Sequence, residues 1–316
     1  MVQAHVNGLT VGVALASVAV TIIGELYIMR PLFSHRMRKH EHRSALTTLV
    51  MLFTGMGLMP VIYSIGFFFI LLYPEVEHLV DPVLHGCEAI ALLLFWHILV
   101  ALAGGRERAA MCVDTSPQGP VCVVMPIVCG NAEFCRFRDG AAALRFWHAS
   151  VAQWIVLSPC LRLVAQNDMR AVRLSSIPVQ VVGLGFLLRA LLDTHRGTRH
   201  AAPRHARPDA QFVVMKIIVL VLLVQTSTYA LGWPPPEGAP DGVTRAFAVL
   251  TLLEMAVFSI TFAWAFGPQA LWWALDQTPL THALTEAFED GTRATARTSI
   301  GGYNPLERAV ANTEPA

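Results

Sequence analysis

Charge is scarce in this chain. Of 316 residues only 14% are charged, against about a quarter in an ordinary soluble domain. Lysine is nearly absent, with Lys39 and Lys216 alone among the basic residues, which are otherwise arginine. The formal net charge of +1 leaves no electrostatic footprint for DNA or RNA. With 54% hydrophobic residues, a soluble protein of this length has too little interior to hide its apolar groups. A soluble enzyme, a disordered chain and a nucleic-acid binder are thereby excluded. Signatures of chemistry are missing too. There is no P-loop, so ATP-driven transport within the chain has no support, and neither H-E-x-x-H nor G-x-S-x-G occurs. No enzyme activity, cofactor or metal is indicated. The last apolar stretch has no lysine for retinal, and no Asn-x-Ser/Thr sequon, internal repeat or second domain is found.

What is present is a series of apolar stretches near the roughly 20 residues needed to cross a bilayer. Seven can be counted: Leu9 to Met29, Leu46 to Tyr73, Val83 to Ala103, Ala141 to Val164, Leu174 to Leu192, Phe212 to Leu231 and Ala246 to Phe266. The fourth is the weakest, interrupted by Arg145, His148 and Arg162. The expected fold is an all-α integral membrane protein, a seven-transmembrane-helix bundle. Basic residues set its orientation. The first, third and fifth loops hold thirteen (Arg30, Arg36, Arg38, Lys39 and Arg43; Arg106, Arg108, Arg136 and Arg138; Arg196, Arg199, Arg204 and Arg207). The alternate loops hold three: Arg170, Arg173 and Arg245. Pro74 to Pro82 is expected to be an outer loop carrying Glu75, Glu77 and Asp81. The amino terminus (1–8) is expected outside and the carboxyl terminus in the cytosol. The spans occupy 9–266, an interfacial or cytosolic helix 267–290, and a polar, disordered tail 291–316.

Sequence motifs then narrow the class. MPVIYSIGFFFILLYPEVEHLVDPVLHGCEAIALLLFWHILVALAGG carries Pro60 and Tyr63 in the second span, Glu88-Ala89 opening the third and Gly104-Gly105 closing it. ALRFWHASVAQWIVLSP supplies Gln153, Trp154 and Pro159. RPDAQFVVMKIIVLVLLVQ supplies Pro208, Phe212, Lys216 and Gln225; LLEMAVFSITFAWAF supplies Glu254, Met255, Ala265 and Phe266. In this order and spacing the chain resembles the organic solute transporter alpha-subunit family. Ser158 departs from the family's basic residue, His148 from its usual lysine, and Gly86-Cys87 from its Cys-Tyr. The resemblance implies a passive transporter, or a subunit of one, for amphipathic organic anions such as steroid conjugates, or for lipids. It also implies a single-span beta partner, although a homodimer or a chain acting alone is compatible with it.

Ionisable groups inside spans are functional candidates by default. Glu88, Gln225 and Glu254 are expected to form an outer polar cluster. Lys216, about 6 Å from the inner end of the sixth span, joins Arg145, His148, Arg189 and His97 in an inner basic ring that could receive an anion. Two readings stand for Lys216, Arg189 and Arg145: anion contact, or snorkelling to headgroups. His97 reads equally as a hydrogen-bonded core residue. Pro60 with Gly55, Gly57 and Gly66 points to a kink or a close helix approach. Cys112, Cys122, Cys129 and Cys135 share the third loop without C-x-x-C spacing, so lipidation or free thiols are the readings rather than zinc. Cys87 and Cys160 lie near outer span ends and could pair. His195, His200 and His205 recur every five residues, without the short spacing that fixes metal ligands. Two other functions are open. One is a membrane organiser in vesicle traffic or stress signalling, without solute flux. The other is a seven-span receptor, although Asp-Arg-Tyr and Asn-Pro-x-x-Tyr are missing.

Overall fold

The structure, a computed structural model, describes residues 8–30, 43–116, 121–123, 133–165, 170–202, 207–230 and 240–268. The expected helix at 279–290 and the tail lie outside them. The elements in chain order are α1 (Gly8–Met29), α2 (Arg43–Leu72), a 3-10 turn (Pro74–Val76), α3 (Glu77–Leu102), α4 (Arg106–Thr115), strands β1 (Val121–Val123) and β2 (Glu133–Arg136), α5 (Gly140–Ala152), α6 (Trp154–Ala165), α7 (Arg170–Thr198), α8 (Pro208–Ala230) and α9 (Pro240–Ala265). Among the described residues four stretches are long and apolar enough to cross a membrane: Gly8–Met29, Leu49–Leu72, Pro74–Leu102 and Arg245–Ala265.

The bundle is apolar outside, and its largely apolar core also holds polar groups. Ile23 of α1, Ile90 of α3, Val156 of α6 and Ile260 of α9 are exposed, while Ser17, Thr21, Glu25, Ser64, His85 and Glu88 are buried. A soluble protein exposes its ionisable groups to water instead. In hydrocarbon every polar group must find a partner within the protein. The α1 hydroxyls find it in their own helix: Ser17 Oγ donates to the Val13 carbonyl at 3.0 Å and Thr21 Oγ1 to that of Val18 at 2.8 Å.

Small residues set the packing. A side chain at Gly55 would meet Leu94 at 2.7 Å, and one at Gly66 would meet Leu84 at 2.8 Å. These glycines admit α3 close against α2, which is how small residues work at helix interfaces in lipid. α3 is central, touching α2, α5, α6, α7 and α8; α1 packs on α2 and α9, and α8 lies against α7 and α9. Phe53 of α2, Phe95 of α3 and Phe262 of α9 gather around Phe266, with ring centroids 5.6, 6.2 and 5.2 Å from it.

The arginine-bearing helix ends lie together. Gly140, opening α5, packs on the Ala110 carbonyl of α4; Gly197, closing α7, packs on Val113 of α4; Gly267, just past α9, packs on Tyr27 of α1. Asp114 Oδ1 accepts from Gly140 N at 2.6 Å, and Asp139 caps α5 by accepting from Ala142 N at 2.7 Å.

Three expectations are corrected. The stretch Pro74 to Pro82 is helical rather than a loop, so Asp81 belongs to α3. Pro74 starts the 3-10 turn, where its missing N–H costs nothing. The fourth stretch is two helices meeting at Gln153, ahead of Pro159, which leaves the Ile155 carbonyl without its helical donor. The all-α expectation holds except in the third loop, where a small antiparallel hairpin sets Cys122 opposite Cys135. Its valine-rich first strand is β-prone.

The Gly-Gly pair has a conformational reason. Gly104 has φ 96° and Gly105 φ 92° with ψ 177°, a region open essentially to glycine. It lets Gly105 N donate back to the Val100 carbonyl at 3.1 Å and turns the chain into α4. Gly105→Ala is expected to cost about 1–3 kcal/mol, read as a lowered unfolding midpoint in detergent.

Candidate functional site: buried charge between three helices

Asp81, His85 and Glu88 stand at i, i+4 and i+7 on α3 and so share one face. That face looks toward α2 and α6. Tyr63 of α2 donates its O–H to Glu88 Oε2 at 3.1 Å, and His85 Nδ1 meets the same oxygen at 3.0 Å. His85 Nε2 lies 3.6 Å from Asp81 Oδ1. Arg162 of α6 closes the row, its Nε 3.2 Å from Asp81 Oδ2 and its Nη2 3.4 Å from Oδ1. The row thus joins two carboxyl groups, an imidazole, a phenol and a guanidinium. The carboxylates approach opposite nitrogens of His85 and do not converge on one point. Among the described residues no group of His, Cys, Asp or Glu could hold a metal.

At the arginine-bearing end the groups are separate. His148 lies 4.8 Å from the Trp96 ring and 5.4 Å from His97. Trp96 Nε1 donates to Thr194 Oγ1 at 3.0 Å, and that hydroxyl donates to the Ala190 carbonyl at 2.8 Å. Arg189 is paired with Asp193, with Nη2 and Nε both 2.8 Å from its carboxylate oxygens. Arg207 Nη1 donates to the Trp264 carbonyl at 3.1 Å and Gln211 Nε2 to that of Ala265 at 3.2 Å. These bonds occupy carbonyls that the end of α9 leaves without helical donors. Arg207 also lies 5.3 Å over the Trp264 ring, within cation–π range. At 56° its φ is positive, unusual for a residue with a side chain. A cavity of about 520 Å³ opens here, lined by Arg199, His200, Arg207 and Asp209 among others.

His195 lies past the apolar part of α7, stacked on Phe212 at 4.4 Å and 3.0 Å from Asp209. Burial holds its imidazole below the ordinary value, and Asp209, opposing this, does not overcome it. Asp209 is 79% exposed, so water screens its pull.

The expected site residues fall on several helices. Glu88 sits in the buried row, with partners Tyr63 and His85. Glu254 is half-buried on α9 and makes contacts of its own. Gln225 lies on α8 with its side chain outside the described residues. The inner basic ring is not a ring: Arg189 is neutralised by Asp193, Arg145 is exposed, and Lys216 is exposed between exposed Val213, Ile217 and Leu220. Lys216 therefore faces outward, as a snorkelling lysine does. Cys112 is half-buried on α4; Cys87 and Cys160 are free thiols, so the outer pair is not joined. Cys129 and the side chains of Cys122 and Cys135 lie outside the described residues, as does His205. Sequence reasoning misses Asp81, taken as a loop acid, and the role of Arg162. Its usable signal was the 81/85/88 spacing. It misses Glu25 as well, although an acid within an apolar stretch is itself a signal.

An apolar-sided helical bundle with paired charges inside it is an integral membrane protein. The family model "Organic solute transporter Ostalpha" matches residues 10–167, half of the chain, and the chain belongs to that family. The matched part holds Tyr63, Asp81, His85, Glu88 and Arg162. It stops short of the motifs around Lys216 and Glu254. No curated protein and no solved structure matches the chain.

Two measurements follow from this geometry. Arg162→Ala, which strands Asp81, is expected to destabilise the protein by about 3–5 kcal/mol. Adding Asp81→Asn should recover part of the loss, seen as coupling in a double-mutant cycle on unfolding midpoints. For His195, the unfolded ring takes up a proton as pH falls through the ordinary value of 6.5, while the folded ring resists it. Stability is thus full above that value and declines with acidification. His195→Phe, which keeps a ring on Phe212, is expected to flatten the profile of midpoint against pH.

Proposed function

We propose that this chain is a seven-span carrier, amino terminus outside and carboxyl terminus cytosolic. It moves amphipathic organic anions such as steroid conjugates, or lipids, passively along a polar groove between helices. One observation carries this reading: a row of ionisable side chains from Tyr63 to Arg162 is buried between α2, α3 and α6 in a bundle that is apolar outside. The seven spans draw support from the joining of the arginine-bearing ends and from α5 and α6 running in succession as a fourth crossing. At that end, Arg199, His200 and Arg207 offer an anion its first contacts, and arginine's fork matches carboxylate or sulfate. His148 and Arg189 lie further in. Glu88, Gln225 and Glu254 shape the outer path, and Lys216 meets the solute from the lipid side. Cys112, Cys122, Cys129 and Cys135 take lipid chains at the membrane surface.

A second reading, a membrane organiser without solute flux, is favoured by how fully the row is paired. Glu88 has two donors and Asp81 a guanidinium, as a purely structural network would. Uptake of a labelled steroid sulfate into proteoliposomes holding only this chain separates the two. The carrier predicts saturable uptake, accelerated by unlabelled solute on the far side and absent from empty vesicles. Glu88→Gln and Arg207→Ala should each slow it about tenfold if each interaction supplies about 1.4 kcal/mol during passage, at unchanged abundance. No uptake by folded protein sinks the self-sufficient carrier. A single-span partner would then be sought by co-purification, and its absence would favour the organiser.

A further inference from the structure

Glu25 stands apart from everything used above. It lies on α1, four residues beyond Thr21, and is only 4% exposed. Neither carboxyl oxygen has a hydrogen-bond partner among the described residues. The side chain is seated where a side chain on Gly57 of α2 would otherwise lie, a place that Ile28 of α1 also borders. On that stretch of α2, one turn before Gly57, Thr54 Oγ1 is also buried without a partner. α9 brings Ser259 to this stretch of α1, where it donates to the Thr21 carbonyl at 3.3 Å and lies against Gly24.

Among the described residues no hydrogen bond joins a charged group to Glu25. α2 presents Gly57 and Thr54, and its Tyr63 is turned to Glu88. On α9, Glu254 precedes Ser259 by five residues, about 7 Å toward the other end of the bundle. Glu25 lies about 6 Å the opposite way from Thr21. On α1 itself, Tyr27 and Arg30 are exposed. An ionised carboxylate in such a setting lacks both water and a counter-charge, a cost proteins avoid by neutralising the group.

We propose that Glu25 is a proton-binding site within the seam of α1, α2 and α9, occupied while the seam is closed. On release the carboxyl O–H bond breaks, its electron pair stays on the carboxylate, and the proton passes to water admitted as α1 moves off Gly57. Packing of α1 and protonation are thus one event.

Infrared difference spectroscopy of the whole chain in vesicles tests this without reference to any solute. The wild type at neutral pH should show the carbonyl stretch of a protonated carboxyl group. Glu25→Gln should remove it, and Gly57→Ala, which presses on the carboxyl, should shift it. The Gly57→Ala arm keeps the test decisive if Glu25→Gln does not fold. Absence of the band from the wild type overturns the proposal. So does a band that neither substitution alters.

Discussion

A guanidinium buried in an apolar medium must have its counter-charge beside it, and Arg162 has Asp81. This pairing fixes how α6 meets α3, because few registers bring both atoms within reach. From Asp81 the constraint passes along one face of α3 to His85 and Glu88, and then across to Tyr63 of α2. The contact of α2, α3 and α6 is therefore organised by hydrogen bonds as well as by packing. That is expected where the surroundings are as apolar as the side chains. The glycines of α2 serve the same end, since Gly55 and Gly66 bring the α3 backbone close enough for Tyr63 to reach Glu88.

Much of the architecture was legible in the chain. The apolar stretches correspond to α1, α2, α3, α7, α8 and α9, and the arginine-rich loops correspond to helix ends that meet. The errors fell where apolarity stops being informative. Pro74 to Pro82 looks like a loop because it is polar and contains two prolines, yet its polarity serves the buried row. The fourth stretch looks weak because of Arg162, the residue that ties it to α3. The hairpin at Cys122 and Cys135 was hidden because sequence spacing says nothing about which residues face each other across a turn.

The site was legible in its materials and not in its assembly. Glu88 was identifiable as costly in the membrane, but its partners come from 25 residues earlier in the chain and from its own helix. Its grouping with Gln225 and Glu254 rests on depth, and span boundaries leave azimuth undetermined. Lys216 illustrates the same point. Its side of the helix could be read only against Val213, Ile217 and Leu220. Membership of the solute transporter family adds a class of activity, while the pairings of this row belong to the chain's own geometry.

The clamp between Arg207, Gln211 and the end of α9 ties together parts of the chain more than fifty residues apart. Both side chains grip backbone carbonyls, and Arg207 also covers the Trp264 ring. The grip does not let α9 tilt independently of the α7–α8 elbow. The basic cavity is thus geared to the helix that also carries Ser259 against α1. A rocking of α9 would change the cavity mouth and the α1 seam in the same stroke, like two jaws worked by one lever.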